Sequence, residues 1–127
     1  KLYNCRFHNV PIHLMTSDES EAVKLFQNSF FATKVSFFNE CRCLSDKLGL
    51  DWKRVMEGIL SDGRISPFHT RVPGPSGGYG FSGSCLPKDI ANLAYCLQQN
   101  ECCNWVTMAA IERNKRDRAR KTYGNRT

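Results

Sequence analysis

Between Thr16 and Leu48 no glycine or proline occurs, and this uninterrupted stretch constrains the fold more than any other feature of the chain. Thr16-Ser17-Asp18-Glu19 has the pattern of a capping box, with further acids in the first turn, where the helix dipole favours them. Apolar residues at 22, 23, 25, 26, 30, 31, 35, 37, 38, 41, 44 and 48 recur at helical spacing and cover a broad stripe. A helix of about 30 residues spans about 45 Å, more than a small domain needs. Such a helix bridges two domains or forms an interface. Phe26, Phe30, Phe31, Phe37 and Phe38 are too many for one narrow seam, so some are expected to meet another subunit. Lys24 and Asn28 interrupt the apolar run at i and i+4 and project from one helical face. Lys24 reads as a snorkelling surface cation, or the two form a paired donor site.

Gly49 is placed to end the long helix and Asp51 to cap a short one, Trp52 to about Leu60. Ser61-Asp62-Gly63-Arg64 is a turn, in which Arg64 is either an exposed turn residue or an anion clamp. From Phe68 to Gly78 the prolines and glycines exclude regular structure, and a loop of roughly 20 residues is more often functional than filler. Pro87–Asn100 is patterned as a helix with Ile90, Leu93, Ala94 and Leu97 on one face. Asn104 caps a last helix, about Trp105–Arg118, expected to bury Val106, Ala109, Ala110 and Ile111. Val10–Met15 has the apolar content of a short strand, with Pro11 at its edge. The expected fold is mainly α, a long central helix with shorter helices, a Gly/Pro-rich loop and a short N-terminal strand.

The stretch Gly77-Gly78-Tyr79-Gly80-Phe81-Ser82-Gly83-Ser84-Cys85-Leu86-Pro87-Lys88-Asp89 carries the chemistry. Four glycines let backbone amides approach a ligand closely. Pro87 favours a first helical turn, so Cys85 is expected just ahead of a helix N-terminus, where the dipole favours an anion and a thiol is held more as thiolate. Asp89 lies about one helical turn on, near the sulfur or its ligand.

At 127 residues, 41% hydrophobic and 24% charged, the chain suits one globular domain. No apolar run approaches the roughly 20 residues of a membrane helix. Seven of the 18 Lys and Arg fall between Glu112 and Thr127, against two of the 12 acids. With no aromatic residue interleaved before Tyr123, that run reads as a solvated terminus rather than a nucleic-acid contact. The seven cysteines are an odd number without zinc spacing, which fits free thiols in a reducing cytoplasm and no metal site; Cys41 and Cys96 read as core. His8 and His13 have no partner at metal spacing and read as surface or strand-edge residues.

Five segments together resemble a known family: Glu21–Asn28 (EAVKLFQN), Lys34–Glu40 (KVSFFNE), Asp62–Ile65 (DGRI), Val72–Gly77 (VPGPSG) and Gly80–Asp89 (GFSGSCLPKD). In this order they look like the central domain of the nucleotide-sugar dehydrogenases, the UDP-glucose and GDP-mannose 6-dehydrogenases, over roughly residues 10–115. The resemblance implies NAD-dependent oxidation of a sugar C6 alcohol to a carboxylate. Cys85 would be the nucleophile, passing through a thiohemiacetal and a thioester. Lys24 and Asn28 would steady the oxyanion and a water, Asp89 would position and help activate that water, and Lys88 would lie near NAD. Arg64 would reach the substrate of the neighbouring subunit in a homodimer built on the long helix, and the loop with Phe81 and Gly83 would cradle the sugar nucleotide.

By the same resemblance residues 1–15 would be the end of an NAD-binding Rossmann domain, 16–118 the central domain and 119–127 a basic tail. The Phe68–Gly78 loop favours the UDP-glucose branch. Ser82 departs from the family's usual Gly-Gly before the cysteine and adds a side chain beside the ligand. No strand–GxGxxG–helix unit occurs in the sequence, so the chain is expected to be a piece of a longer enzyme, inactive alone. The alternative is a non-catalytic helical dimerisation module that keeps these residues as ancestry.

Overall fold

A computed structural model describes residues 11–120. Four helices follow in order: α1, Ser17–Leu48; α2, Trp52–Ser61; α3, Cys85–Gln99; and α4, Trp105–Ala119. Among the described residues the chain is mainly α and has no strand. The strand expected over Val10–Met15 begins outside the described residues, and residues 11–15 carry no regular structure and are exposed. No helix among the described residues is long and apolar enough to cross a membrane.

The ends of α1 are where local chemistry puts them. The Glu19 amide donates to Thr16 Oγ1 at 3.2 Å and the Thr16 amide to Glu19 Oε2 at 2.7 Å, closing the capping box. Gly49 stops the helix at φ +66°, a left-handed conformation that glycine adopts without steric cost. Asp51 Oδ1 accepts from the amides of Lys53 and Arg54 and starts α2.

Helix α3 lies along α1, α4 packs against both, and α2 meets only α1. The core is small: Ala32, Phe81, Ile90 and Ala110, flanked by Val35, Leu86 and Ile111. Along α1 Phe38 and Ser45 are buried, together with a stripe of Ser29, Ala32, Ser36 and Asn39, whose small or hydrogen-bonding side chains let the helices approach closely. Ser36 Oγ donates to the Ala110 carbonyl of α4 at 3.0 Å, and Ser29 Oγ to Leu25 O at 2.7 Å. Val23, Phe30, Phe37 and Leu44 follow one another at seven-residue intervals and are all exposed. Of the expected apolar stripe, then, one side is left free, as the abundance of phenylalanines requires.

Helix α4 departs in part from its expected face. Ala110 is buried and Ile111 packs against the core as expected, but Val106 is 69% exposed and Ala109 is also exposed; Thr107 and Asp117 are buried in their place. Asn104 occupies the N-cap position without a side-chain cap bond, because its amide donates to the Ala94 carbonyl of α3. The basic run is not solvated throughout. Arg113 Nε donates to the fully buried Asp117 at 2.9 Å and its Nη2 to the Asn39 carbonyl at 3.2 Å, while Arg120 lies over the Tyr79 ring at 4.5 Å. Pairing and stacking keep these cations against the body of the protein. Residues 121–127 lie outside the described range. Cys41 and Cys96, expected in the core, are half-buried, and all six described cysteines are free thiols.

Candidate active site

The segment between α2 and α3 has no regular structure, so its course is set by side chains beneath it. One face of α1 supplies most of them. The Phe31 ring stacks on His69 with centroids 4.4 Å apart. Lys34 Nζ donates to Ser66 O at 2.6 Å, and burial pulls the Lys34 ammonium below its ordinary pKa. Asn39 Oδ1 accepts from the Gly80 amide at 3.1 Å, and Arg42 reaches Val72 O at 3.5 Å. From α4, Asn114 binds both backbone groups of Phe81, accepting from its N–H at 2.7 Å and donating to its C=O at 3.0 Å. A cavity of about 350 Å³ remains between loop and helices, lined among others by His69, Arg71, Phe81, Ser82 and Leu86.

The loop delivers the chain to α3, which begins two residues earlier than the expected start at Pro87. Ser84 is the N-cap and Cys85 the first helical residue, with Pro87 in the third position, where the first turn requires no amide. Cys85 is exposed, and its polar neighbour is Ser84 Oγ at 3.7 Å. Asp89, one turn on, is buried and meets α1: Asn28 Nδ2 donates to Asp89 Oδ2 at 2.6 Å, and Lys88 Nζ lies 3.2 Å from Oδ1. The Asn28 hydrogen bond is the main cause holding the Asp89 carboxyl below the usual carboxylate range. Burial opposes it, and Lys88 and the charge of Lys24 reinforce it.

Asn28, Lys88 and Asp89 thus form one polar cluster beside the first turn of α3, within reach of the charge of Lys24 and with Cys85 on that turn. Of the other expected residues, Phe81 is 4% exposed and closes the core while bordering the cavity. Gly83 holds φ +87° with open space where a side chain would stand. Ser82 is exposed at the cavity. Arg64 stands apart, its Nε and Nη2 both donating to Asp62 and depressing that carboxyl, and it makes no contact with the cluster.

The sequence reading missed Asn39, His69 and Asn114. Asn39 carried a signal, since an amide directly after the buried Phe38 must find partners; the other two carried none. Among the described residues no strand leads into a glycine turn. Lys88, exposed beside the cluster, fits a single peripheral contact with a dinucleotide cofactor and no more.

The depressed Asp89 carboxyl has a consequence for pH. Free aspartate titrates near 3.9. With its folded value lower, Asp89 contributes stability that is fully present above that value and lost as pH falls through the folded one. Asp89→Asn is therefore expected to lose less stability than the parent between about pH 5 and pH 3, measured as urea midpoints. Equal losses would mean that the Asn28 bond does not stabilise the ionised form.

Residues 18–116 match the family model described as "UDP-glucose/GDP-mannose dehydrogenase family, central domain". The chain is 44% identical over 92 residues to a UDP-glucose 6-dehydrogenase of Campylobacter jejuni, covering 72% of this chain and 22% of that protein. It is 40% identical over 84 residues to the Streptococcus pneumoniae UDP-glucose 6-dehydrogenase, covering 66% and 20%. With UDP-glucose 6-dehydrogenase TuaD of Bacillus subtilis it shares 31% identity over 112 residues, covering 88% and 23%. The chain spans about a fifth of the length of these relatives.

Proposed function

The chain belongs to the UDP-glucose/GDP-mannose dehydrogenase family, whose central domain it matches, and from that premise we propose that it holds the nucleotide sugar and the nucleophile for oxidation of the sugar C6 to a carboxylate. The observation that carries this reading is the Asn28–Asp89 hydrogen bond. It joins the Lys24/Asn28 face of α1 to the first turn of α3, where Cys85 is exposed, and so gathers a nucleophile, an acid and cationic and amide donors at one place.

In this reading the Cys85 thiolate adds to the C6 aldehyde, and Lys24 and Asn28 stabilise the resulting oxyanion. NAD, when bound by a segment outside the described residues, supplies hydride acceptance. Asp89, kept ionised by Asn28 and Lys88, orients the water that hydrolyses the thioester and accepts its proton. The cavity beneath the loop is the nucleotide-sugar site, with UDP-glucose the substrate favoured by the relatives. The free thiols fit a reducing cytoplasm. In the same reading residues 1–15 close an NAD-binding domain, 16–118 form the central domain and 119–127 are a basic tail. Arg64, turned away from this cluster, would serve the substrate of a second copy, and the exposed Val23, Phe30, Phe37 and Leu44 stripe supports a homodimer along α1.

Iodoacetamide labelling followed by peptide mass spectrometry tests the reading. Cys85 is expected to react fastest of the described cysteines near neutral pH, as a thiol in the first turn of a helix should, and UDP-glucose is expected to protect it. Equal rates at Cys85, Cys102 and Cys103, all exposed, would defeat it. The same exposed stripe favours a second reading, a non-catalytic dimerisation module. NAD reduction assayed with and without an added dinucleotide-binding domain separates the two, since the module would stay inert in both.

A further inference from the structure

We infer that Asn39 and Asn114 are positioning residues for the thiol, clamping the Gly80–Phe81 backbone from two helices so that the chain enters α3 with Cys85 in its first turn. The inference rests on the reading of Cys85 as nucleophile. Asn39, 1% exposed, is fully engaged: its Nδ2 donates to Val35 O at 2.8 Å and its Oδ1 takes the Gly80 amide. Asn114 forms a two-point bond that fixes both position and orientation of the Phe81 peptide groups. Side-chain amides satisfy irregular backbone here as a neighbouring strand would in a sheet.

Only Ser82, Gly83 and Ser84 separate the clamped residue from Cys85, and among them Gly83 has open space where a side chain would stand. Nothing else among the described contacts holds this short connector, apart from the Phe81 ring in the core. The clamp therefore sets where the connector begins, and the first turn of α3 sets where it ends. Loss of either arm frees the connector, frays the turn and removes the thiol from the field of the helix N-terminus. Both arms carry the same load from different helices, so the position of α4 relative to α1 is felt at Cys85.

The test uses the 127-residue chain. The ratio of Cys85 to Cys102 alkylation rates is measured from pH 6 to pH 9, with the urea midpoint of each variant. Asn114→Ala and Asn39→Ala are each expected to lower that ratio about threefold near pH 7, the size of a helix-terminal field. Asn104→Ala removes a comparable bond between α3 and α4 away from the loop and is expected to change the midpoint but not the ratio. A ratio unchanged in folded Asn114→Ala or Asn39→Ala overturns the inference. Should both variants fail to fold, hydrogen exchange of the unsubstituted chain decides: Gly80 and Phe81 amides are expected to exchange as slowly as those of α4, and fast exchange overturns the clamp. A parent chain in which Cys85 is no faster than Cys102 instead defeats the proposed function, a result distinguishable from loss of positioning.

Discussion

On the proposed function, Cys85→Ser assayed with an added dinucleotide-binding domain is expected to lower carboxylate formation from the nucleotide sugar by on the order of 10^4-fold. A serine hydroxyl in the same place is not ionised near neutral pH and has no imidazole beside it to take its proton, whereas a thiol at a helix N-terminus is a competent nucleophile. The first oxidation, alcohol to aldehyde, needs no nucleophile, so the variant should stop after one reduced NAD per sugar instead of two. An aldehyde trap added to the assay would capture the product. Because Cys85 is exposed and touches little beyond Ser84, the urea midpoint should not move. Full carboxylate formation by the variant would remove Cys85 from the chemistry.

Gly80→Ala is expected to destabilise the protein by about 3 kcal/mol, combining left-handed strain with overpacking, and so to lower Tm by roughly 10 °C. The backbone at Gly80 has φ +72°, and an added methyl group would overlap Asn114 Oδ1 and stand 3.2 Å from Asp117 Cβ. Asn114 cannot swing aside without releasing Phe81, and Asp117 is fixed by Arg113. Gly83→Ala is the internal comparison. It has similar left-handed strain at φ +87° but open space, and should cost only about 1 kcal/mol. Thermal unfolding of the two variants side by side measures the difference, and equal losses would show that close packing at Gly80 contributes nothing.

What the sequence revealed depended on whether the determining physics was local. The limits of α1 and α2 were legible because Thr16, Glu19, Gly49 and Asp51 act within one turn of themselves. Cys85 was placed two residues short of its helix because Pro87 was read as the first helical position, although the whole first turn tolerates a proline. The buried face of α4 was read correctly at Ala110 and Ile111 but misread at Val106 and Ala109, which are exposed, because the rest of that face is held by Thr107, Asn114 and Asp117. Apolar periodicity is blind to a face buried through hydrogen bonds. The cluster of Lys24, Asn28 and Asp89 was legible only through family resemblance, since the bond from Asn28 to Asp89 spans 61 positions. Asn39 and Asn114 stayed hidden for the same reason.

The way α1 is shared also governs how the molecule must be made. Its partners lie far along the chain: Asn28 bonds across 61 positions, and Ser36 and Asn39 across 74. Helices form locally and fast, and α3 meets α4 across a short connection, yet α1 does not find α3 or α4 until a long intervening segment has closed, at an entropic cost of about 3 to 4 kcal/mol for some 60 residues. Folding should therefore be slow for an all-helical chain of this size, closer in rate to mixed α/β domains than to bundles of sequential neighbours. On a ribosome, α1 would emerge before α3 and α4 and keep its core face around Ala32 and Val35 uncovered until they arrive, which makes synthesis the interval of greatest exposure to aggregation.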